Sequence, residues 1–129
     1  MKRRTCLKTM LAAGAAGSAT QAATGRPIQI HVDLSVDPAK EKEMLKHFHN
    51  VFRPTAAKFE GYIDVRMLKL RAAVTGSAPP GINYRFELMY RNEELRQTWV
   101  KSPEHQKVWP PIEGMLRNKD YSVVLFDET

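Results

Sequence analysis

From residue 28 to 36 the chain alternates strictly between apolar and polar positions. Ile28, Ile30, Val32, Leu34 and Val36 are interleaved with Gln29, His31, Asp33 and Ser35. Period two predicts a half-buried strand. Asp37-Pro38 then offers a helix N-cap followed by a proline that fits the first helical turn. The next apolar stripe, Leu45, Phe48, Phe52, Ala56 and Phe59, is spaced for one helical face. Pro54 should kink or interrupt that helix, and Gly61 should end it.

Residues 62–73 read as a second strand, and 75–81 (TGSAPPG) as a loop by composition. Residues 83–91 form a third strand, with Tyr84, Phe86, Leu88 and Tyr90 on one face. Asn92 caps a second helix, with Glu93 and Glu94 in the first turn, where the helix dipole favours them. Ser102-Pro103-Glu104 repeats the cap signal, so this helix should break and restart, placing His105, Val108, Trp109 and Ile112 on one face. Pro110-Pro111 breaks it again, and residues 120–127 read as the last strand.

The resulting order, β-α-β-β-α-β, is that of the ferredoxin-like α+β fold: a four-stranded antiparallel sheet with both helices on one face. At 129 residues there is room for one domain. The other sheet face shows Gln29, His31 and Asp33, too polar for a second core and too mixed for an idle surface. A second copy of the sheet could cover it, with His31 as a dimer contact.

Composition adds one asymmetry. The chain holds 20 Lys+Arg against 14 Asp+Glu, a formal +6. Lys2, Arg3, Arg4 and Lys8 fall within residues 1–22, which hold no acid, so the remainder is 16 bases against 14 acids, only +2. Nucleic-acid binding gains little support, because Lys40, Lys42 and Lys46 are interleaved with Glu41 and Glu43. The first 22 residues have a basic start, a short apolar run from Met10 to Ala19, and small residues before a cut expected after Ala22, the layout of an export signal. Arg3-Arg4-Thr5-Cys6-Leu7-Lys8 resembles the twin-arginine motif, with Cys6 in the Phe position. The expectation is a leader over 1–22, a single domain over 23–129, and a periplasmic or extracellular location in a bacterium. The apolar run is too short to span a bilayer. Cys6, the only cysteine, would leave with the leader.

The element order, together with Gly61-Tyr62, Phe86-Glu87-Leu88-Met89-Tyr90-Arg91-Asn92-Glu93-Glu94 and Ser102-Pro103-Glu104-His105, resembles the antibiotic-biosynthesis-monooxygenase-like group of the dimeric α+β barrels. The resemblance covers roughly 28–127. It implies a homodimer whose sheets face each other as a barrel. It also implies a pocket for a small aromatic or polyketide-like molecule, in some members oxidised by molecular oxygen with no prosthetic group. Two departures stand out: Leu88 occupies the place where many members carry a strand Glu, and Thr98 or Trp99 the place of a helix His. A non-catalytic binding or structural domain is therefore the alternative. Trp99-Val100-Lys101-Ser102 is similar to a stretch of the haem-degrading monooxygenases, a minor alternative, since Trp109 stands where that branch has its haem-ligating His.

His105 and His49 both border apolar helical faces and are expected to point into one cavity, where a neutral imidazole suits proton removal from a phenol. The plainer alternative is a half-buried histidine satisfied by a backbone carbonyl. His47 is expected on the solvated side. Trp99, Trp109, Tyr90 and Phe52, with Phe48, form an aromatic set suited to a planar ligand, or simply to core packing. No metal is expected: His47 and His49 lie on different helix faces, and no His-x-x-x-His or Glu-x-x-His pair occurs. No phosphate-binding glycine loop is present, so no nucleotide cofactor is expected.

Overall fold

The computed structural model describes residues 26–129. The expected leader, with Cys6, lies outside the described residues. Strand β1 (Ile28–Val36) alternates between buried and half-buried positions along its whole length, as its sequence pattern requires. The Asp37 carboxylate accepts from the Ala39 N–H at 3.0 Å and opens a short 3-10 turn, Pro38–Lys40.

That turn runs into helix α1 (Glu41–His47), a wide π-type turn (Phe48–Phe52) and helix α2 (Arg53–Ala56). The expected interruption at Pro54 thus takes the form of a widened turn just before it. Proline has no N–H to give its own turn, and the ring crowds the carbonyl four residues back. The Arg53 N–H steps five residues to Phe48 O instead. The buried stripe is Met44, Phe48, Phe52 and Ala56. Phe48, Phe52 and Ala56 hold their expected places, while Leu45 and Phe59 only flank the stripe, so α1, ahead of the wide turn, is set about one residue from expectation with Met44 inward.

Strands β2 (Tyr62–Lys69) and β3 (Tyr84–Tyr90) follow, then helices α3 (Glu93–Lys101), α4 (Pro103–Val108) and α5 (Pro110–Glu113), and strand β4 (Leu116–Asp127). The sheet order is β2-β3-β1-β4, antiparallel at every pairing. Among the described residues this is the ferredoxin-like arrangement, consistent with a dimeric α+β barrel. β2 is shorter than expected because β3 begins at Tyr84, the partner of Lys69, leaving 70–73 without a ladder. β4 is longer, because Leu116 and Asn118 pair with Val36 and Ser35 across a bulge. Gly61 enters β2 with φ +92, and a Cβ there would stand 2.7 Å from Leu95 Cδ1. Asn83 finishes the end of β1: its side chain accepts from Val36 N–H and donates to Val36 O, both at 2.8 Å.

The core lies between the helices and one sheet face. There Val32, Leu34, Phe86 and Leu88 meet Phe48, Phe52, Trp99 and Ile112. Burying each such side chain contributes about 1.5–3 kcal/mol. The opposite face carries Gln29, His31, Asp33, Arg85 and Glu87.

Candidate active site

Ser102 sets the geometry of the helical wall. Its hydroxyl donates to Trp99 O at 2.6 Å and accepts from the His105 N–H at 3.1 Å. One buried side chain thus ends α3, starts α4 and fixes Trp99 relative to His105. The His105 ring meets Trp99 edge-on at 5.1 Å and stacks near Trp109 at 6.3 Å. Phe52 touches both indoles, at 5.9 and 6.0 Å, and Phe86 lies 5.2 Å from Trp109.

These residues wall a cavity of about 320 Å3 between sheet and helices. Its size is at the lower end of the range typical of small-molecule sites, roughly 300–1,000 Å3. Of the six residues expected at the site, the structure brings His105, Trp99, Trp109 and Phe52 together here.

His49 and Tyr90 do not join them. His49 is exposed and faces away from the cavity. The cause is the setting of the first helix: with Met44 at the centre of its buried face, His49 falls outside, while His47, three residues on from Met44, comes in. His47 is accordingly half-buried, and its Nε2 hydrogen-bonds Val108 O at 2.8 Å, rather than standing in solvent. Tyr90 is fully buried, beside Gly61 and away from the cavity, with no partner for its hydroxyl. Burial pushes that phenol up to about 12, with a smaller contribution from Tyr62. His31 lies on the open face: its Nε2 bonds Gln29 Oε1 at 2.9 Å, and its ring packs against Phe126 at 4.8 Å.

Sequence reasoning missed a polar chain along one cavity wall. Trp109 Nε1–H donates to the Tyr121 hydroxyl at 3.1 Å, and that hydroxyl donates to Glu113 Oε2 at 2.6 Å. Burial and the Glu113 carboxylate raise the Tyr121 pKa against a smaller opposite pull from the Trp109 N–H. Arg96 also reaches the cavity, but two bonds of 2.6 Å tie its guanidinium to Glu93.

His105 is placed differently from an ordinary structural histidine. Its Nδ1 is buried and has no hydrogen-bond partner. That leaves Nε2 as the ring nitrogen a cavity ligand can reach. Burial lowers the His105 pKa, only partly offset by nearby Glu113. The imidazole is therefore neutral at neutral pH. Leu88, at the position where the resemblance expects a carboxylate, is an apolar wall residue, and Thr98 is exposed. Among the described residues no group of three or more His, Cys, Asp or Glu is placed to hold a metal ion.

Neither a family model nor a curated protein matches this chain. Solved structures do. A dimeric ferredoxin-like protein of unknown function from Jannaschia superposes with a TM-score of 0.67 at 15% identity, over 79% of this chain and 99% of its own. A Nitrosomonas europaea protein with the provisional name antibiotic biosynthesis monooxygenase gives 0.63 at 10% identity, over 84% and 95%. A cofactor-independent oxygenase from Streptomyces nogalater gives 0.61 at 12% identity, over 78% and 91%. Identities this low establish the fold they share with this chain and leave its chemistry to be argued from its own residues.

Proposed function

We propose that the protein is a monooxygenase that oxidises a small aromatic or polyketide-like compound in the cavity under α3–α5, without a prosthetic group. The observation that carries this is His105: a half-buried imidazole in a cavity rich in aromatic side chains, with no protein partner for its buried Nδ1 and with Nε2 within a ligand's reach. A histidine retained only for packing would be expected to satisfy its ring with a backbone carbonyl, as His47 does on Val108.

In the proposed reaction Nε2 of His105 takes the proton of a phenolic hydroxyl, and the resulting anion passes an electron to oxygen. The aromatic and aliphatic walls would shield the bound anion from part of its water, which keeps it electron-rich. With no external reductant the substrate supplies all four electrons. A ring CH2 conjugated with the phenol therefore becomes C=O as O2 gives one atom to the product and one to water. A cofactor-independent oxygenase from Streptomyces nogalater shares the fold, so the scaffold can accommodate this chemistry.

The test is oxygen uptake by the purified protein with phenolic substrates, with 18O2 labelling of the product. His105→Ala should lower turnover by about 10²–10⁴-fold. Unchanged turnover of every accepted phenol would sink the mechanism.

The working unit is proposed to be a homodimer in which the open sheet faces meet. Leu68, Val124 and Phe126 are exposed on that face, at 42%, 44% and 50%. Large apolar side chains in such number on one sheet face suit a covered surface. Phe126→Asp should convert the dimer to monomer in analytical ultracentrifugation. The proposed location, periplasmic or extracellular after removal of residues 1–22, is checked by the N-terminal mass of protein isolated from its source.

A further inference from the structure

We infer that Glu113, held in place by Tyr121, is the specificity residue of the cavity, and that it selects aromatic ligands carrying a second hydroxyl group besides the one offered to His105. The inference rests on the proposed aromatic substrate and goes further by naming its polar pattern.

The direction of the hydrogen bonds carries the argument. Trp109 donates to Tyr121, and Tyr121 donates to Glu113. Each donor in the chain is spent on the next group, so the chain ends in an acceptor. Tyr121 occupies only Oε2, which leaves Oε1 for a ligand's donor. Among the described residues no Lys or Arg forms an ion pair with Glu113, and the cationic group at the cavity, Arg96, pairs with Glu93 through Nε and Nη2. Gln106, also at the cavity, uses one amide N–H on Val100 O and keeps its other N–H and its Oε1. The wall therefore offers Glu113 Oε1 and His105 Nε2 as acceptors, with Gln106 Oε1 as a third, among aromatic and aliphatic neighbours; of these Glu113 is the carboxylate. A ligand with two hydroxyls satisfies both Glu113 and His105. An aromatic carboxylate placed against Glu113 would meet it as a like charge, which is unfavourable. A methyl ether in place of the second hydroxyl would leave the Glu113 carboxylate desolvated and without its donor.

The structure supplies its own probe. The chain has two tryptophans, Trp99 and Trp109, and both line the cavity, so quenching of intrinsic fluorescence reports occupancy without need of turnover. The experiment titrates the protein with isomeric dihydroxynaphthalenes, their monomethyl ethers and the corresponding naphthoates. At least one diol should bind roughly tenfold or more tightly than its monomethyl ether, and the naphthoates should bind weakest. Glu113→Gln should bring the diol-to-ether ratio close to one, because the amide oxygen remains occupied by Tyr121 and its NH2 cannot accept. Tyr121→Phe keeps the carboxylate and should retain a preference for the diol. The ratio is taken on one variant at a time, so a general loss of folded protein cancels. Quenching by diol and ether alike in every isomer, or a ratio unchanged in Glu113→Gln, would overturn the role of Glu113 and leave the aromatic cavity standing. No quenching by any of these compounds would overturn the aromatic-substrate proposal, and the present inference with it.

Discussion

The two faces of the sheet both carry polar side chains, and they use them in opposite ways. On the open face the polar groups close on one another. Arg85 donates to Asp33 at 2.7 Å, Gln29 donates to Glu128 at 2.8 Å, and Arg66 to Asp64 at 3.0 Å. Under the helices, a chain of donors ends in a carboxylate with a spare oxygen, and His105 keeps a ring nitrogen unmatched. Polar residues on a sheet face therefore do not by themselves mark a site. Polar capacity left open to a cavity does, as at Glu113 Oε1 and His105 Nε2, where a ligand can supply the missing partner.

The contrast can be broken most severely at the cavity wall. Trp99 is 1% exposed and packs against Phe52, Phe59 and His105. Trp99→Ala should destabilise the fold by about 3–5 kcal/mol in guanidinium unfolding. A loss below about 1 kcal/mol would mean that the wall is not part of the core.

A smaller effect should appear on acidification. The folded-state pKa of His105 is depressed by burial, so below pH ~6.5 the unfolded chain takes up a proton that the native chain resists. Stability is full above that pH and falls as the pH drops toward the depressed folded value. His105→Gln should flatten this part of the urea stability profile. An unchanged slope would place the acid sensitivity elsewhere.

Tyr90 sharpens the comparison, because its hydroxyl is also buried and unmatched but does not line the His105 cavity. Tyr90→Phe should leave stability at neutral pH within about 1 kcal/mol, or raise it, since no hydrogen bond is lost. The folded phenol titrates near 12 against about 10 unfolded. Native stability should therefore fall as pH rises through that window, and the Phe variant should lack the fall. Ligand affinity should not change. The smallest effect belongs to the open face: Arg85→Met, which removes a half-exposed ion pair, should shift monomer stability by less than about 1 kcal/mol.

Much of the scaffold is legible in the chain. The alternation in β1, the Asn92 and Ser102 caps and the aromatic face of β3 each fix an element from local chemistry alone. The rotation of α1 is not legible. Met44 and Leu45 are both apolar, and only the widened turn before Pro54 decides which one faces inward. That single residue of phase exchanges the environments of His47 and His49. The Glu113–Tyr121 bond is hidden for another reason. Period two puts Tyr121 on the face of Val123 and Leu125, but its approach to Glu113 depends on where β4 starts and on the turn at Gly114 between α5 and β4. The sole local hint was that a half-buried indole N–H, that of Trp109, needs an acceptor.

Asn83 has a consequence for how this molecule can change. Its amide stands in for a neighbouring strand at the end of β1, meeting both the N–H and the C=O of Val36. Past Lys69 the pairing continues only through the Leu70 N–H to Asn83 O bond, so the chain around Gly76 stands outside the ladder. An extra stretch of chain, or a grafted epitope, inserted near the exposed Gly76 should be carried as a passenger, with the sheet and the His105 cavity indifferent to its length.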